Sequence, residues 1–283
     1  MSHDRTPICT NWWGGLGDCI LYLSAINAYC NKNDTIINIG ACNDVIEKKM
    51  FDLIKIYSSY NKIKFNFINR KKFAPNNVED SERYICYGND NYNRIIKEAL
   101  FVPNKQIYGT YNILRVNGKL NDNPDYDVQY LNYKEKKVDK YITLQLNGRT
   151  CGSLENYSLY FNDINRLIKE FNRFYHFIIF VDSINDKFIP SDATVEITSK
   201  KSLTNVFDII NNATCHIGVD SGLAHVAQTC RTPYIGIKKR NNENYGLISC
   251  SKDSIIPQVE KVEEIMLYLY REITAILLQR GLL

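Results

Sequence analysis

The run from Cys215 to Ile237 limits the fold more than any other part of the chain. Cys215-His216-Ile217-Gly218-Val219 reads as a short buried strand, and Asp220-Ser221-Gly222 follows it without a spacer. A helix is predicted over 221–230, and Tyr234-Ile235-Gly236-Ile237 then reads as a second strand. Two strands joined through a helix must lie parallel, because a parallel pair needs a crossover connection. Such strands are covered on both faces, which accounts for their almost continuous apolar character.

The same alternation of strand and helix runs through the chain, so the expected class is α/β with parallel sheets. In the first half, an apolar segment near Ile8 runs into Trp12-Trp13-Gly14-Gly15-Leu16-Gly17-Asp18. A helix follows with Ile20, Leu23, Ile26 and Cys30 on one face. Strands are predicted at 35–39, 64–68 and 85–87, with helices at 45–56 and 93–100. Residues 117–139 mix turn formers with charge and carry no apolar period, which marks a linker. The second half restarts with a strand at 141–146, a turn at Asn147-Gly148-Arg149, a helix at 161–174 and an apolar strand at 177–181. A short strand at 195–197 and a helix at 204–211 lead to the run described first, and an amphipathic helix over 259–279 ends the chain. Two Rossmann-like domains are expected, residues 1–135 and 136–283, with parallel sheets facing a central cleft.

Composition narrows the function classes. Of the 283 residues, 45% are hydrophobic and 23% charged, enough apolar surface for one large domain or two compact ones. The net charge of +4 is too small and too scattered for a nucleic-acid binder, and suits an anionic ligand. Nine cysteines at wide spacing, with no Cys-x-x-Cys pair, predict buried free thiols rather than disulfides or a metal site. Met1-Ser2-His3-Asp4-Arg5 opens no apolar leader, and no stretch approaches the ~18 apolar residues that span a bilayer. A cytoplasmic protein is expected, with peripheral contact at a membrane left open.

Two places carry candidate chemistry. At the amino end of the 221–230 helix, Asp220 or Ser221 can cap, and Gly222 lets a ligand approach the backbone closely. First-turn N–H groups have no carbonyl partner inside a helix, and together with the helix dipole they suit a diphosphate. His225 falls on the same face as Ser221 and Gly222, where it can donate to a phosphate oxygen or carry positive charge beside one. Arg149, in the turn after the first strand of the second half, is a candidate for bidentate phosphate contact. The second place is the loop containing Gly15, Gly17 and Asp18. A carboxylate at the amino end of a helix is held ionised and can accept a proton. Two competing motifs fail: Ile20 stands at the third glycine of a dinucleotide fingerprint, and Val219 and Leu223 stand where a serine-hydrolase elbow needs glycine. Lys238-Lys239-Arg240 could hold phosphate or simply be hydrated.

Asp220, Ser221, Gly222, His225, Ala227, Pro233 and Gly236, in that spacing, resemble the carboxyl-terminal signature of glycosyltransferase family 9, the heptosyltransferase-like enzymes. Gly14-Gly15-Leu16-Gly17-Asp18 resembles the family's Gly-Asp loop. The resemblance implies a GT-B fold with an acceptor-side first domain and a nucleotide-sugar-binding second domain. It implies an inverting, metal-independent transferase, with Asp18 as catalytic base and Asp220, Ser221, Gly222, His225 and Arg149 around the donor diphosphate. The donor would be a nucleotide sugar, an ADP-activated heptose or a relative of one, with no further cofactor. The acceptor could be a glycan, a lipid-linked sugar, a protein or another polymer. The sequence departs from the family in two places: no Lys lies between 141 and 168, and Lys238-Lys239-Arg240 replaces the usual Gly-Ser/Thr-Asp-Pro-like stretch. A non-catalytic nucleotide-sugar-binding protein on the same scaffold is the alternative.

Overall fold

The computed structural model describes residues 7–10, 15–32, 34, 36–41, 44–67, 85–86, 131–135, 139–145, 147–148, 152–153, 161–181, 193–197, 200–219, 221–239, 254–255, 258–259 and 262–279. The chain divides into two compact units, Met1–Asn132 and Tyr133–Leu283.

The first unit is built on four parallel strands, β1 (Pro7–Thr10), β2 (Ile37–Ala41), β3 (Phe65–Phe67) and β4 (Ile85–Cys86), in the order β3-β2-β1-β4. Helix α1 (Leu16–Lys32) joins β1 to β2, and α2 (Asp44–Ser58) joins β2 to β3. The apolar period of each helix sets its inward face. Ile20, Leu23 and Cys30 of α1 are buried, as are Met50, Leu53, Ile56 and Tyr57 of α2. Leu131 closes this core, its N–H donating to the buried Ser24 hydroxyl at 3.2 Å. The helix expected at 93–100 lies outside the described residues.

The second unit carries a seven-stranded parallel sheet. Its strands are β5 (Tyr141–Gln145), β8 (His176–Val181), β9 (Thr194–Ile197), β10 (Cys215–Val219), β11 (Tyr234–Lys239), β12 (Ser254–Ile255) and β13 (Gln258–Val259). The order is β12-β11-β10-β5-β8-β9, with β13 also on β11. Consecutive residues of the central strands are buried, Ile142-Thr143-Leu144 in β5 and Cys215-His216-Ile217 in β10, as expected where both faces are covered. The covering helices are α3 (Phe161–Phe171), α4 (Leu203–Asn212), α5 (Gly222–Thr229) and α6 (Val262–Gln279). They bring in Leu167, Ile168 and Phe171, then Val206, Phe207 and Ile210, and finally Ile273 and Leu277. Val259, expected as the first residue of the last helix, belongs to β13 instead, because it pairs with Lys239 before the helix begins.

Two helix ends show how local chemistry sets the boundaries. Ser202 caps α4 by accepting the Asn205 N–H at 3.2 Å. Helix α5 ends in a Schellman pattern, with Thr232 N–H on the Ala227 carbonyl at 2.8 Å and Arg231 N–H on that of Gln228 at 3.0 Å. Arg231 occupies the left-handed position usually held by glycine, with φ 52°. Among the described residues, no helix is long and apolar enough to cross a membrane.

Candidate functional site

In an open parallel sheet, ligands bind beyond the carboxyl ends of the strands, where the strand order reverses. The chain of the second unit runs from β5 outward to β8 and β9, then returns to the other side of β5 with β10 and β11. The switch point therefore lies at the carboxyl ends of β5 and β10. Gln145 ends β5, and Ser221-Gly222 stands just past the end of β10.

Helix α5 starts at Gly222 and packs against β10, β11 and α4. Every residue from Leu223 to Thr229 is buried, so the helix has no solvent-facing stripe. Ser221 is the N-cap residue, with extended backbone at φ −161°, ψ 171°, but its side chain does not cap. Its hydroxyl donates instead to the Gln145 side-chain carbonyl, Oε1. The Ala224 N–H turns back on the Ser221 carbonyl at 3.1 Å. The fold thus keeps the serine oxygen away from the helix's first turn, where the sequence offered it as a cap. Asp220 lies outside the described residues.

His225 shares the amino-terminal half of α5 with Gly222 and is only 3% exposed. Desolvation by burial pushes its imidazole from the ordinary 6.5 down to about 4. It is therefore neutral at physiological pH. Of the two roles open to it in the sequence, donating a hydrogen bond fits this environment, and carrying charge does not.

Beneath the switch point, Thr143 of β5, His216 of β10 and Tyr234 of β11 stand side by side in register, all fully buried. The Thr143 hydroxyl lies 2.9 Å from His216 Nδ1 and also contacts the Cys215 carbonyl at 3.3 Å. The hydroxyl has one proton: given to the Cys215 carbonyl, it leaves the ring proton on Nδ1, and given to Nδ1, it leaves the ring proton on Nε2. In both tautomers His216 Nε2 has no hydrogen-bond partner among the described residues. Burial pushes this imidazole down to about 3. The Tyr234 ring stacks on His216, and its hydroxyl donates to the Gly218 carbonyl at 3.1 Å.

Directly after β5, Asn147-Gly148 (β6) pairs antiparallel with Gly152-Ser153 (β7) and lies beside β10. The turn expected at Asn147 is thus the first arm of a small hairpin. Arg149, between its arms, lies outside the described residues.

In the first unit the strand order reverses between β1 and β4. The carboxyl end of β1 leads to Gly15, which is exposed, and then into α1. The helix begins at Leu16, so Gly17, which is buried, and Asp18 belong to its first turn, and Cys19 N–H bonds the Gly15 carbonyl at 3.2 Å. The orientation of the Asp18 side chain lies outside what is described. Among the described residues, no three His, Cys, Asp or Glu side chains are grouped to hold a metal ion, and Cys19, Cys30, Cys215 and Cys230 are buried thiols outside any disulfide.

Sequence reasoning missed Gln145, Gly218 and the buried Nε2 of His216. Their signal is the pairing of β5 with β10, which brings Gln145 opposite Gly218.

Comparison with known proteins agrees with this layout. Residues 181–255 match the model of glycosyltransferase family 9 (heptosyltransferase). No curated protein matches the sequence. Among solved structures, the E. coli ADP-heptose lipopolysaccharide heptosyltransferase II aligns over 98% of this chain and 99% of its own, with TM-score 0.65 and 10% identity. E. coli heptosyltransferase WaaC with ADP aligns over 94% and 99%, at 0.57 and 11%. The iron-containing dodecameric glycosyltransferase TibC from enterotoxigenic E. coli aligns over 91% of this chain at 0.57 and 13%, and the chain spans 64% of its length. At such identities the structures speak for the fold, and the sequence match speaks for the segment from the end of β8 to β12. The chain therefore resembles glycosyltransferase family 9 over residues 181–255, and its two α/β units resemble GT-B glycosyltransferases in fold.

Proposed function

We propose that the protein is an inverting glycosyltransferase that moves a sugar from a nucleotide-diphosphate donor to a hydroxyl acceptor. The observation that carries this reading is the amino end of α5 at the switch point of the second sheet, inside the family-matched segment. The donor's diphosphate would rest against the first-turn N–H groups, with Gly222 leaving room for it and His225 donating as a neutral imidazole. Asp220 and Arg149 complete the proposed donor set, and Gly15, just before α1, and Gly17, in its first turn, lead to the base.

In the proposed step Asp18 takes the proton from the acceptor hydroxyl as its oxygen bonds to the anomeric carbon. The bond from that carbon to the diphosphate breaks, and the nucleoside diphosphate leaves with the electron pair. Fixed helix N–H dipoles stabilise the charge that develops on it. An ADP-heptose is the first donor to try, since two of the similar structures are described with ADP or an ADP-heptose. The acceptor, a glycan, lipid-linked sugar, protein or other polymer, would be met in the cytoplasm.

A thermal-shift panel of nucleotide sugars tests donor binding, because a ligand held only by the folded state raises its stability with occupancy. Asp18→Ala should keep donor affinity and lose about 10²–10⁴-fold in turnover, the usual contribution of a positioned base. A protein that only binds nucleotide sugar would show the shift and release no product in either form.

A further inference from the structure

We propose that Gln145 is a positioning residue: it holds the Ser221 hydroxyl off the amino end of α5, so that the Gly222 and Leu223 N–H groups remain available to a ligand's diphosphate oxygens. The inference rests on the function proposed above and adds to it a residue outside the family-like signature.

Serine at an N-cap ordinarily accepts a hydrogen bond from the second or third N–H of its helix. Ser221 does not, because its proton and its orientation are committed to Gln145 Oε1. Gln145 sits opposite Gly218 in the sheet, while Ser221 lies three residues further along the neighbouring chain. The glutamine must lean across β10 to reach it, and Gly218 supplies the space. A Cβ at Gly218 would stand 3.2 Å from the Gln145 carbonyl oxygen, 3.3 Å from Gln145 Cβ and 3.3 Å from His216 Nε2.

That last distance is an independent sign that something polar is received here. His216 is 0% exposed, its Nε2 faces the clearing over Gly218, and no described residue hydrogen-bonds to it. A buried ring nitrogen left unsatisfied is costly, so the clearing calls for a polar partner. A ligand bound at the α5 end, or a water carried with it, can supply that partner.

The role predicts that affinity and stability part company. Removing the glutamine amide releases Ser221 to cap α5, which strengthens the empty fold while closing the anion site. The test is calorimetric titration of wild type, Gln145→Met, Ser221→Ala and the double variant with ADP, GDP, UDP and CDP, beside melting curves without ligand. Wild type should bind at least one of the four. Gln145→Met should raise its Kd about tenfold with no fall in melting temperature. Adding Gln145→Met to Ser221→Ala should change the Kd no further, since the glutamine acts through that hydroxyl. An unchanged Kd in Gln145→Met, additive effects in the double variant, or a weaker Kd that merely follows a lower melting temperature would each overturn the positioning role while leaving the donor site standing. Should wild type bind none of the four, the proposed function and this role fall together.

Discussion

Two neutral histidines buried in the second unit should make the protein sensitive to mild acid. His216 is 0% exposed and His225 is 3% exposed. Burial lowers their imidazoles from 6.5 to about 3 and about 4. In the unfolded chain both return to the ordinary value, so below pH 6.5 the unfolded state binds protons that the folded state refuses. Stability therefore rises with pH, because the state with more bound protons is favoured by acid. The full contribution is present above the unfolded value, and it drains away as the pH falls from 6.5 towards the folded values. At pH 5 each imidazole has given up about 2 kcal/mol relative to pH 8, about 4 kcal/mol for the pair. That is a large share of the ~5–15 kcal/mol by which domains are usually stable. Carboxylates also titrate in acid, so the informative quantity is a difference between variants. Urea unfolding of wild type and His216→Asn at pH 8 and pH 5 isolates one ring, since asparagine does not titrate and can still meet the Thr143 hydroxyl. The loss between the two pH values should be about 2 kcal/mol smaller in the variant. His225→Gln gives the same reading for the other ring. Equal losses in wild type and His216→Asn would refute the claim that His216 is neutral because it is desolvated.

Gly218→Ala should cost about 1–3 kcal/mol in chemical unfolding, because the new methyl meets a backbone carbonyl and a buried ring that have little room to move. Arg231→Gly should raise stability by about 0.5–1 kcal/mol, measured the same way, since glycine accepts the left-handed backbone at the end of α5 without strain. Ser202→Ala should lower it by about 1 kcal/mol through loss of the α4 cap.

The architecture was legible because its signals are local. Phe177–Val181 reads as strand from five consecutive apolar residues, and all of them lie in β8. Cys215–Val219 was readable to the residue, since Thr214 and Asp220 bracket it with polarity. The period through Val206, Ile209 and Ile210 places α4, and Val206 and Ile210 are indeed buried. What failed to show is of another kind. A helical wheel gives Ser221, Gly222 and His225 a shared polar face, yet α5 is enclosed by β10, β11 and α4, so its whole circumference is interior. Serine before a glycine-led helix reads as a cap on every local rule, and only the register Gln145 opposite Gly218 reveals a competing partner. That register depends on a crossover that separates the two strands by some seventy residues, a distance over which no window of sequence carries information. The glycine in the middle of β10, unremarkable as a strand residue, is the one local trace of it: a strand gives up a side chain there so that a neighbour's can pass. Interior glycines of buried parallel strands at a switch point are thus worth reading as marks of a side chain crossing from the adjacent strand towards the ligand end of the sheet.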